Sequence, residues 1–194
     1  MTRLHEVNAE EIKMSKPKVA TISLAGCFGC HMSIMDIDLR IIDLLKKIDL
    51  DKSPLTDIKK FSGPVDIGII EGGVCNDENV EVLRDFRKNC KTLIVIGECA
   101  IMGGLPALRN SFSLEECLEE AYINGPTIKN HQNVIPCNQE IPKILDKVYP
   151  CHEVVRVDYT IPGCPPPAEA IWQVLTDLLQ GREPKIDYEY LKYD

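Results

Sequence analysis

The chain has 194 residues and a formal net charge of −8, and 44% of its residues are hydrophobic. This length is enough for one sizeable domain or for two small ones. The acidic charge argues against nucleic acid as a partner, because phosphate binding depends on an excess of lysine and arginine. Residues 1–17 are polar and charged without an apolar export signal, and no apolar segment approaches the roughly 18 residues that span a membrane. We therefore expect a cytoplasmic protein without membrane contact that begins with a loosely held arm, 1–17.

The nine cysteines are many for a cytoplasmic chain. An odd number in a reducing compartment argues against a disulfide framework. We interpret four of them as small buried side chains: Cys90, Cys117, Cys137 and Cys151. The segment Gly26-Cys27-Phe28-Gly29-Cys30 differs from these. Its two thiols are separated by two residues, with glycines before and between them, and can bind one metal centre from a tight turn.

Short β-branched segments alternate with segments of helical periodicity along the chain. The predicted strands are 18–25, 65–70, 92–96 and 153–159. The predicted helices are 33–47, 77–88, 103–109, 113–123, 141–148 and 168–179, and loops are expected at 50–63 and 125–137. Asn76 or Asp77 is placed to cap one helix and Ser113 with Glu116 another, and Gly181 ends the last helix. These elements form one α/β domain, 18–181, followed by a polar tail, 182–194.

The alternation predicts right-handed crossovers and a parallel sheet with helices on both faces. We expect a flavodoxin-like, doubly wound α/β fold, in which ligands bind beyond the carboxyl ends of the strands. Each predicted strand runs into a glycine that is soon followed by a cysteine, in Gly26-Cys27, Gly73-Val74-Cys75, Gly97-Glu98-Cys99 and Gly163-Cys164. With Cys30, five thiols are therefore expected at one edge of the sheet. Cys90 precedes its strand and is expected at the opposite edge.

Converging thiols are typical of a metal site. Four thiolates hold either a [4Fe–4S] cluster or a structural zinc ion. Zinc sites tend to use two short-spaced pairs of ligands, and only one such pair is present here. A disulfide oxidoreductase also uses two cysteines separated by two residues, but the further cysteines at strand ends favour metal. Cys27, Cys30, Cys99 and Cys164 lie in segments rich in turn residues, and the spacing leaves Cys75 as an alternative ligand.

Three segments resemble the cluster-binding motifs of the small subunit of [NiFe] hydrogenases. They are Cys27-Phe28-Gly29-Cys30, Gly97-Glu98-Cys99-Ala100 with Gly103-Gly104, and Ile161-Pro162-Gly163-Cys164-Pro165-Pro166. The likeness spans about residues 18 to 180, and the last motif is shared with the related cluster subunit of respiratory complex I. That relative has two adjacent cysteines at its first site, so the spacing of Cys27 and Cys30 favours a hydrogenase.

In its short chain and its absence of an export signal, the sequence resembles the small subunit of the cytoplasmic NAD-reducing, or bidirectional, type of [NiFe] hydrogenase. The segment Glu71-Gly72-Gly73-Val74-Cys75-Asn76 is similar to the corresponding segment of that group. The resemblance implies that Cys27, Cys30, Cys99 and Cys164 bind one [4Fe–4S] cluster. It further implies a nickel–iron centre on a separate large subunit, and partner subunits of a diaphorase module that carry FMN, NAD and further iron–sulfur clusters. Hydrogen itself would not react on this chain.

Three further residues are candidates for accessory roles. Cys75 is interpreted as a small residue packed near the cluster or as a reserve ligand, and Glu71 as a solvated residue or a proton relay at the partner interface. His31 is interpreted as a hydrogen-bond donor to a cluster sulfur, or as a capping or surface histidine. Two other functions remain as alternatives. One is the small subunit of another cytoplasmic hydrogenase, linked to ferredoxin, a deazaflavin or polysulfide; the other is a zinc-stabilised interaction module without a redox role.

Overall fold

In the computed structural model, residues 16–129 and 132–191 are described. The strands are β1 Lys18–Ser23, β2 Asp49–Leu50, β3 Val65–Glu71, β4 Val74–Asn76, β5 Cys90–Ile96, β6 Ile144–Tyr149 and β7 Tyr159–Ile161. The α-helices are α1 Gly29–Met35, α2 Arg40–Lys47, α3 Asp77–Asn89, α4 Glu98–Met102, α5 Leu114–Glu119 and α6 Ala168–Leu179. Short 3-10 helices cover Leu105–Ser111, Cys151–Glu153 and Tyr188–Tyr190, and a π-helical turn, Glu120–Asn124, extends α5.

The main sheet has five parallel strands in the order β2–β1–β3–β5–β7. Counted along the chain, these five strands have the order 2-1-3-4-5, which is the flavodoxin-like arrangement. The predicted fold class is therefore confirmed. Strand β4 lies outside this sheet and pairs with β6 in an antiparallel ribbon of two strands.

Two apolar cores cover the two faces of the sheet. Alternate residues of a strand point to opposite faces, so Ile69 of β3 contributes to one core while Ile70 contributes to the other. Helices α1, α2 and α6 pack on the first face through buried residues such as Ile34, Leu44 and Ile171, and α3 packs on the second through Leu83 and Phe86. The side chains of Ile186 and Tyr190, in the predicted tail, also pack against the first core.

Several predicted boundaries are wrong, and tertiary pairing explains two of them. Segment 141–148 was expected to be helical, but β6 pairs there with β4, with Val74 opposite Tyr149. A short apolar run fits either conformation until a partner strand is known. The last strand of the sheet begins only at Tyr159, at the end of the predicted strand 153–159, and residues 151–153 form a 3-10 helix. The expected loop 50–63 is preceded by strand β2, which adds a fifth member to the sheet.

The first predicted helix, 33–47, is two helices. Asp38 lies between α1 and α2 with a φ of 63°, in the left-handed region that Asp tolerates better than most residues. Other local signals are confirmed. The Asn76 side chain accepts a hydrogen bond from the amide of Asn79, Ser113 and Glu116 form a capping box, and Gly181 follows α6 with a φ of 69°.

The predicted arm lies almost wholly outside the described residues. Within the part of the chain that is described, no helix is long and apolar enough to cross a membrane.

Candidate metal centre

A cavity of about 80 Å³ lies at the carboxyl edge of the sheet. It is lined by the segments that follow β1, β3, β5 and β7, and four cysteines contribute to its wall: Cys27, Cys30, Cys99 and Cys164. Cys27 and Cys164 are exposed at the surface, whereas Cys30 and Cys99 are half-buried. The structure thus brings together the four cysteines that the motifs indicate.

Backbone pairing fixes the first half of this site. The amide of Ala25 donates to the carbonyl of Gly73 at 3.0 Å, and the amide of Gly73 donates back to the carbonyl of Ala25 at 2.8 Å. Gly72 has a φ of +87°, and a Cβ atom on it would lie 2.7 Å from the carbonyl carbon of Leu24. The loop that carries Cys27 is therefore held directly against the loop after β3.

The second half continues the ladder between β5 and β7. The amide of Gly97 donates to the carbonyl of Ile161 at 2.9 Å, and the amide of Glu98 donates to the carbonyl of Gly163 at 3.1 Å. Cys99 and Cys164 directly follow these two paired residues. Their loops therefore inherit the register of the sheet, and the peptide bond from Cys164 to Pro165 is cis.

Glycines leave room for the sulfur atoms. A Cβ atom on Gly97 would lie 2.3 Å from Sγ of Cys30, and one on Gly104 would lie 3.0 Å from Sγ of Cys99. Gly97 and Gly104 also have positive φ angles, of +81° and +49°. Both positions thus require glycine, for conformation and for space.

The thiols influence one another electrostatically. Burial raises the pKa of Cys30, and the neighbouring Glu71, Cys99 and Cys27 raise it further. Burial also raises the pKa of Cys99, with added contributions from Cys164 and Cys27, whereas the backbone amide of Leu105 lowers it. The raised pKa values disfavour the thiolate forms of Cys30 and Cys99, which a positively charged metal centre at this position would stabilise.

Glu71 and His31 form a buried pair beside the cavity. Both side chains are at most 2% exposed, and His31 Nδ1 lies 3.0 Å from Glu71 Oε1. The other ring nitrogen of His31 is 2.9 Å from Oγ1 of Thr21, which in turn contacts Oγ of Ser53 at 2.7 Å. Although burial raises the pKa of Glu71, hydrogen bonds from His31 and Ser23 and the charge of His31 bring it below its ordinary value.

This burial corrects two expectations. Glu71 is not a solvated residue, and His31 is not a surface histidine. Both ring nitrogens of His31 face Glu71 and Thr21, and the ring stacks on Phe28 with 4.6 Å between centroids. Thr21 and Ser53 were not singled out from the sequence, because a hydroxyl residue in a strand or loop gives no signal of the network that it joins.

The remaining candidate cysteine, Cys75, is not among the residues that line the cavity. It is half-buried in β4, where its Sγ contacts Oδ1 of Asn79 at 3.3 Å. Cys90 is buried at the start of β5. The carboxyl end of β5 leads to the cavity, so Cys90 lies at the opposite edge of the sheet, as expected.

The donor set fits a polynuclear centre better than a single ion. Among residues 16–129 and 132–191, no group of three or more His, Cys, Asp or Glu side chains is arranged to hold one metal ion. Yet four thiols line one cavity of about 80 Å³. One water needs roughly 10–15 Å³ measured in this way, so the cavity has room for several atoms. Thiolates spread around such a space can hold an iron–sulfur cluster, whose iron atoms each take one of them.

Comparison with known proteins agrees with this geometry. Residues 27–178 match the family described as NADH ubiquinone oxidoreductase, 20 kDa subunit. The chain is 51% identical to the delta subunit of the NAD-reducing hydrogenase HoxS of Cupriavidus necator, over 92% of this chain and 86% of that one. It is 42% identical to a subunit of the F420-non-reducing hydrogenase of Methanothermobacter marburgensis, over 87% of this chain but only 55% of the relative.

A solved structure is similar over nearly the whole fold. A chain in a crystal structure of an NAD⁺-reducing [NiFe]-hydrogenase in the H2-reduced state superposes with a TM-score of 0.89 and 52% identity. The match covers 92% of this chain and 99% of that one. The family match, the identities and this superposition agree. The chain therefore belongs to the family of the NADH ubiquinone oxidoreductase 20 kDa subunit, among the small subunits of hydrogenases.

Proposed function

We propose that this chain is the electron-transfer subunit of a cytoplasmic NAD-reducing [NiFe] hydrogenase. Cys27, Cys30, Cys99 and Cys164 hold one [4Fe–4S] cluster beside the nickel–iron centre of a large subunit. Electrons pass from that centre to a diaphorase module that carries FMN, NAD and further clusters. One observation carries the proposal: in a chain 51% identical to a subunit of an NAD-reducing hydrogenase, these four thiols line a single cavity.

The protein residues bind the cluster and control its surroundings. When bound, the cluster supplies one-electron transfer at a potential set by hydrogen bonds to sulfur and by burial. Cys30 and Cys99 approach from the half-buried side of the cavity and Cys27 and Cys164 from its exposed side. The amide of Leu105 interacts with Cys99, a contact of the kind that tunes cluster potentials.

An apolar surface beside the cavity is available for the large subunit. Four exposed side chains follow Cys99 within segment 102–112: Met102, Leu105, Leu108 and Phe112, each at least 58% exposed. Exposed apolar patches of this kind mark protein–protein contacts. Because the backbone amide of Leu105 interacts with Cys99, a partner seated there would lie next to one of the four thiols.

Metal analysis of the native complex tests the proposal. We expect about four irons and four acid-labile sulfides per copy of this chain, after the clusters of the other subunits are subtracted, together with a reduced-state EPR signal. We also expect hydrogen-dependent reduction of NAD⁺. One zinc per chain without sulfide would instead support the interaction module and overturn the redox function.

A second candidate is the small subunit of a hydrogenase with another electron acceptor. The 42% identity to a subunit of an F420-non-reducing hydrogenase favours it. The partner chains decide between the two functions. Co-purification with flavin- and NAD-binding subunits supports the NAD-linked enzyme. Hydrogen oxidation that reduces an artificial dye but not NAD⁺ supports the alternative.

A further inference from the structure

Glu98 is a buried acid in the wall of the cavity that the four thiols share. Only 7% of the residue is exposed, and it lines the cavity together with Cys99 and Cys164. Its carboxyl group forms no ion pair with any cation in the described part of the chain. A carboxyl group is expensive to bury without partners, so its position calls for an explanation.

One carboxyl oxygen of Glu98 joins two ligand loops. Oε1 accepts a hydrogen bond from the amide of Gly163 at 2.8 Å, while the amide of Glu98 donates to the carbonyl of Gly163 at 3.1 Å. The two residues directly precede Cys99 and Cys164. Glu98 thereby adds a side-chain bond to the last backbone bond of the β5–β7 ladder, at the point where both loops enter the site.

The other carboxyl oxygen has no hydrogen-bond partner. Oε2 is buried, and among the described residues no donor reaches it. Most buried polar atoms in folded proteins are hydrogen-bonded, so an exception in a functional cavity indicates a role in the chemistry there. A carboxylate offers lone pairs only, in contrast to the amides that commonly donate hydrogen bonds to cluster sulfurs.

We propose that Glu98 is a positioning residue for the cluster: Oε1 fastens the Cys99 and Cys164 loops together, and the unpaired Oε2 disfavours the added electron and so lowers the reduction potential. This inference rests on the proposed function for the cluster itself. The chemistry is a one-electron cycle. The cluster would be reduced by one electron from a partner redox centre and reoxidised when that electron passes to the next centre. Glu98 takes no part in that transfer and acts only through its field and its hydrogen bond.

Substitution by glutamine separates the two roles. In Glu98→Gln the amide oxygen stays on the Gly163 amide, because turning the NH₂ group towards it would place two donors face to face. The new NH₂ group then occupies the position of Oε2. The loops remain joined, while an oxygen without a hydrogen-bond partner in the cavity wall is replaced by a hydrogen-bond donor. A donor at this position favours the reduced cluster.

The experiment compares native complexes that contain Glu98→Gln, Glu98→Ala or the control Glu81→Gln, which removes one charge from an exposed position on α3. With cluster loading unchanged, Glu98→Gln should raise the ratio of reduced to oxidised cluster about tenfold at a fixed potential, which equals about 59 mV for a one-electron couple. Glu81→Gln should leave this ratio unchanged. A ratio in Glu98→Gln equal to that of the wild type overturns the electrostatic role.

Hydrogen–deuterium exchange tests the positioning role without relying on the cluster. Exchange of the peptide that contains Gly163 should be about tenfold faster in Glu98→Ala and unchanged in Glu98→Gln, because only the first loses the acceptor. Equal exchange in all variants overturns the clamp. If the wild-type complex proves to lack iron, the proposed function fails. The exchange comparison would still decide whether Glu98 joins the two loops.

Discussion

Replacing Gly97 by alanine should displace Cys30, a proposed ligand of the cluster. The new Cβ atom would lie 2.3 Å from Sγ of Cys30, whereas ordinary contact begins at 3.4 Å, so the sulfur must move by about 1 Å. Functional sites tolerate misplacement of roughly 0.5 Å. Gly97 also has φ 81° and ψ 156°, a region open essentially to glycine alone, which adds a destabilisation of about 1–3 kcal/mol. We expect Gly97→Ala to lose most of its cluster.

Gly181→Ala is the matched control for this experiment. Gly181 also has a positive φ, of +69°, but nothing lies within 4 Å of a Cβ built there. This variant should lose about 1 kcal/mol of stability in urea denaturation and keep its full complement of iron. The assay is iron and acid-labile sulfide per chain in the anaerobically purified complex. Full iron in Gly97→Ala, or an equal loss of iron in both variants, would refute the geometry of the Cys30 position.

Three further variants test other parts of the structure. Cys164→Ser should lose or rearrange the cluster in EPR spectra while Cys90→Ser does not, and equal damage from both would contradict the placement of the thiols at opposite edges of the sheet. Leu108→Glu should weaken co-purification of the large subunit at least tenfold. Leu39→Glu, which alters a similarly exposed leucine between α1 and α2, should not. Asp158→Asn should lower the free energy of unfolding by about 1–2 kcal/mol at neutral pH. This difference should shrink as pH falls below about 4. A difference that stays constant with pH would count against the ion pair of Asp158 with Arg87.

The pH dependence of the last variant follows from the surroundings of Asp158. Burial raises the pKa of this carboxyl group, but hydrogen bonds from Arg87 and from the amide of Leu93 outweigh it and bring the pKa below its ordinary value. Nη1 of Arg87 lies 2.6 Å from Oδ2 of Asp158. A lowered pKa in the folded state means that the stabilisation is complete above the unfolded-state pKa and is lost as the carboxylate is protonated. Asparagine at this position cannot show that loss.

The fold and the positions of the four thiols were predictable because the order of strands and helices along the chain largely determines both. Strands that alternate with helices must run parallel, and the carboxyl ends of parallel strands meet at one edge. A cysteine that follows a strand-ending glycine can therefore be assigned to that edge of the sheet without any information on interatomic distances. The same reasoning placed Cys75 at this edge, yet it does not line the cavity, because β4 turns away to pair with β6. This ribbon could not be predicted, because the segment that forms β6 was assigned to a helix at 141–148.

The buried polar groups could not be predicted, for a different reason. Burial of Glu71, His31 and Glu98 depends on which loops cover them, and a single sequence carries no signal for that. Charged residues are usually exposed, so a glutamate at a strand end is ordinarily expected to be in contact with solvent. Only the structure shows that Glu71 meets His31 and that Glu98 meets Gly163.

The two halves of the site are held by different interactions, and this difference has consequences for mutation. The loop of Cys27 is fixed by the reciprocal backbone bonds between Ala25 and Gly73, in which no side chain takes part. The loops of Cys99 and Cys164 depend in addition on the carboxyl group of Glu98. Loss of that group should therefore loosen Cys164 while Cys27 stays in place. Damage to the cluster in Glu98→Ala should then begin at the Cys164 corner, and a cluster that keeps three ligands is the form expected first.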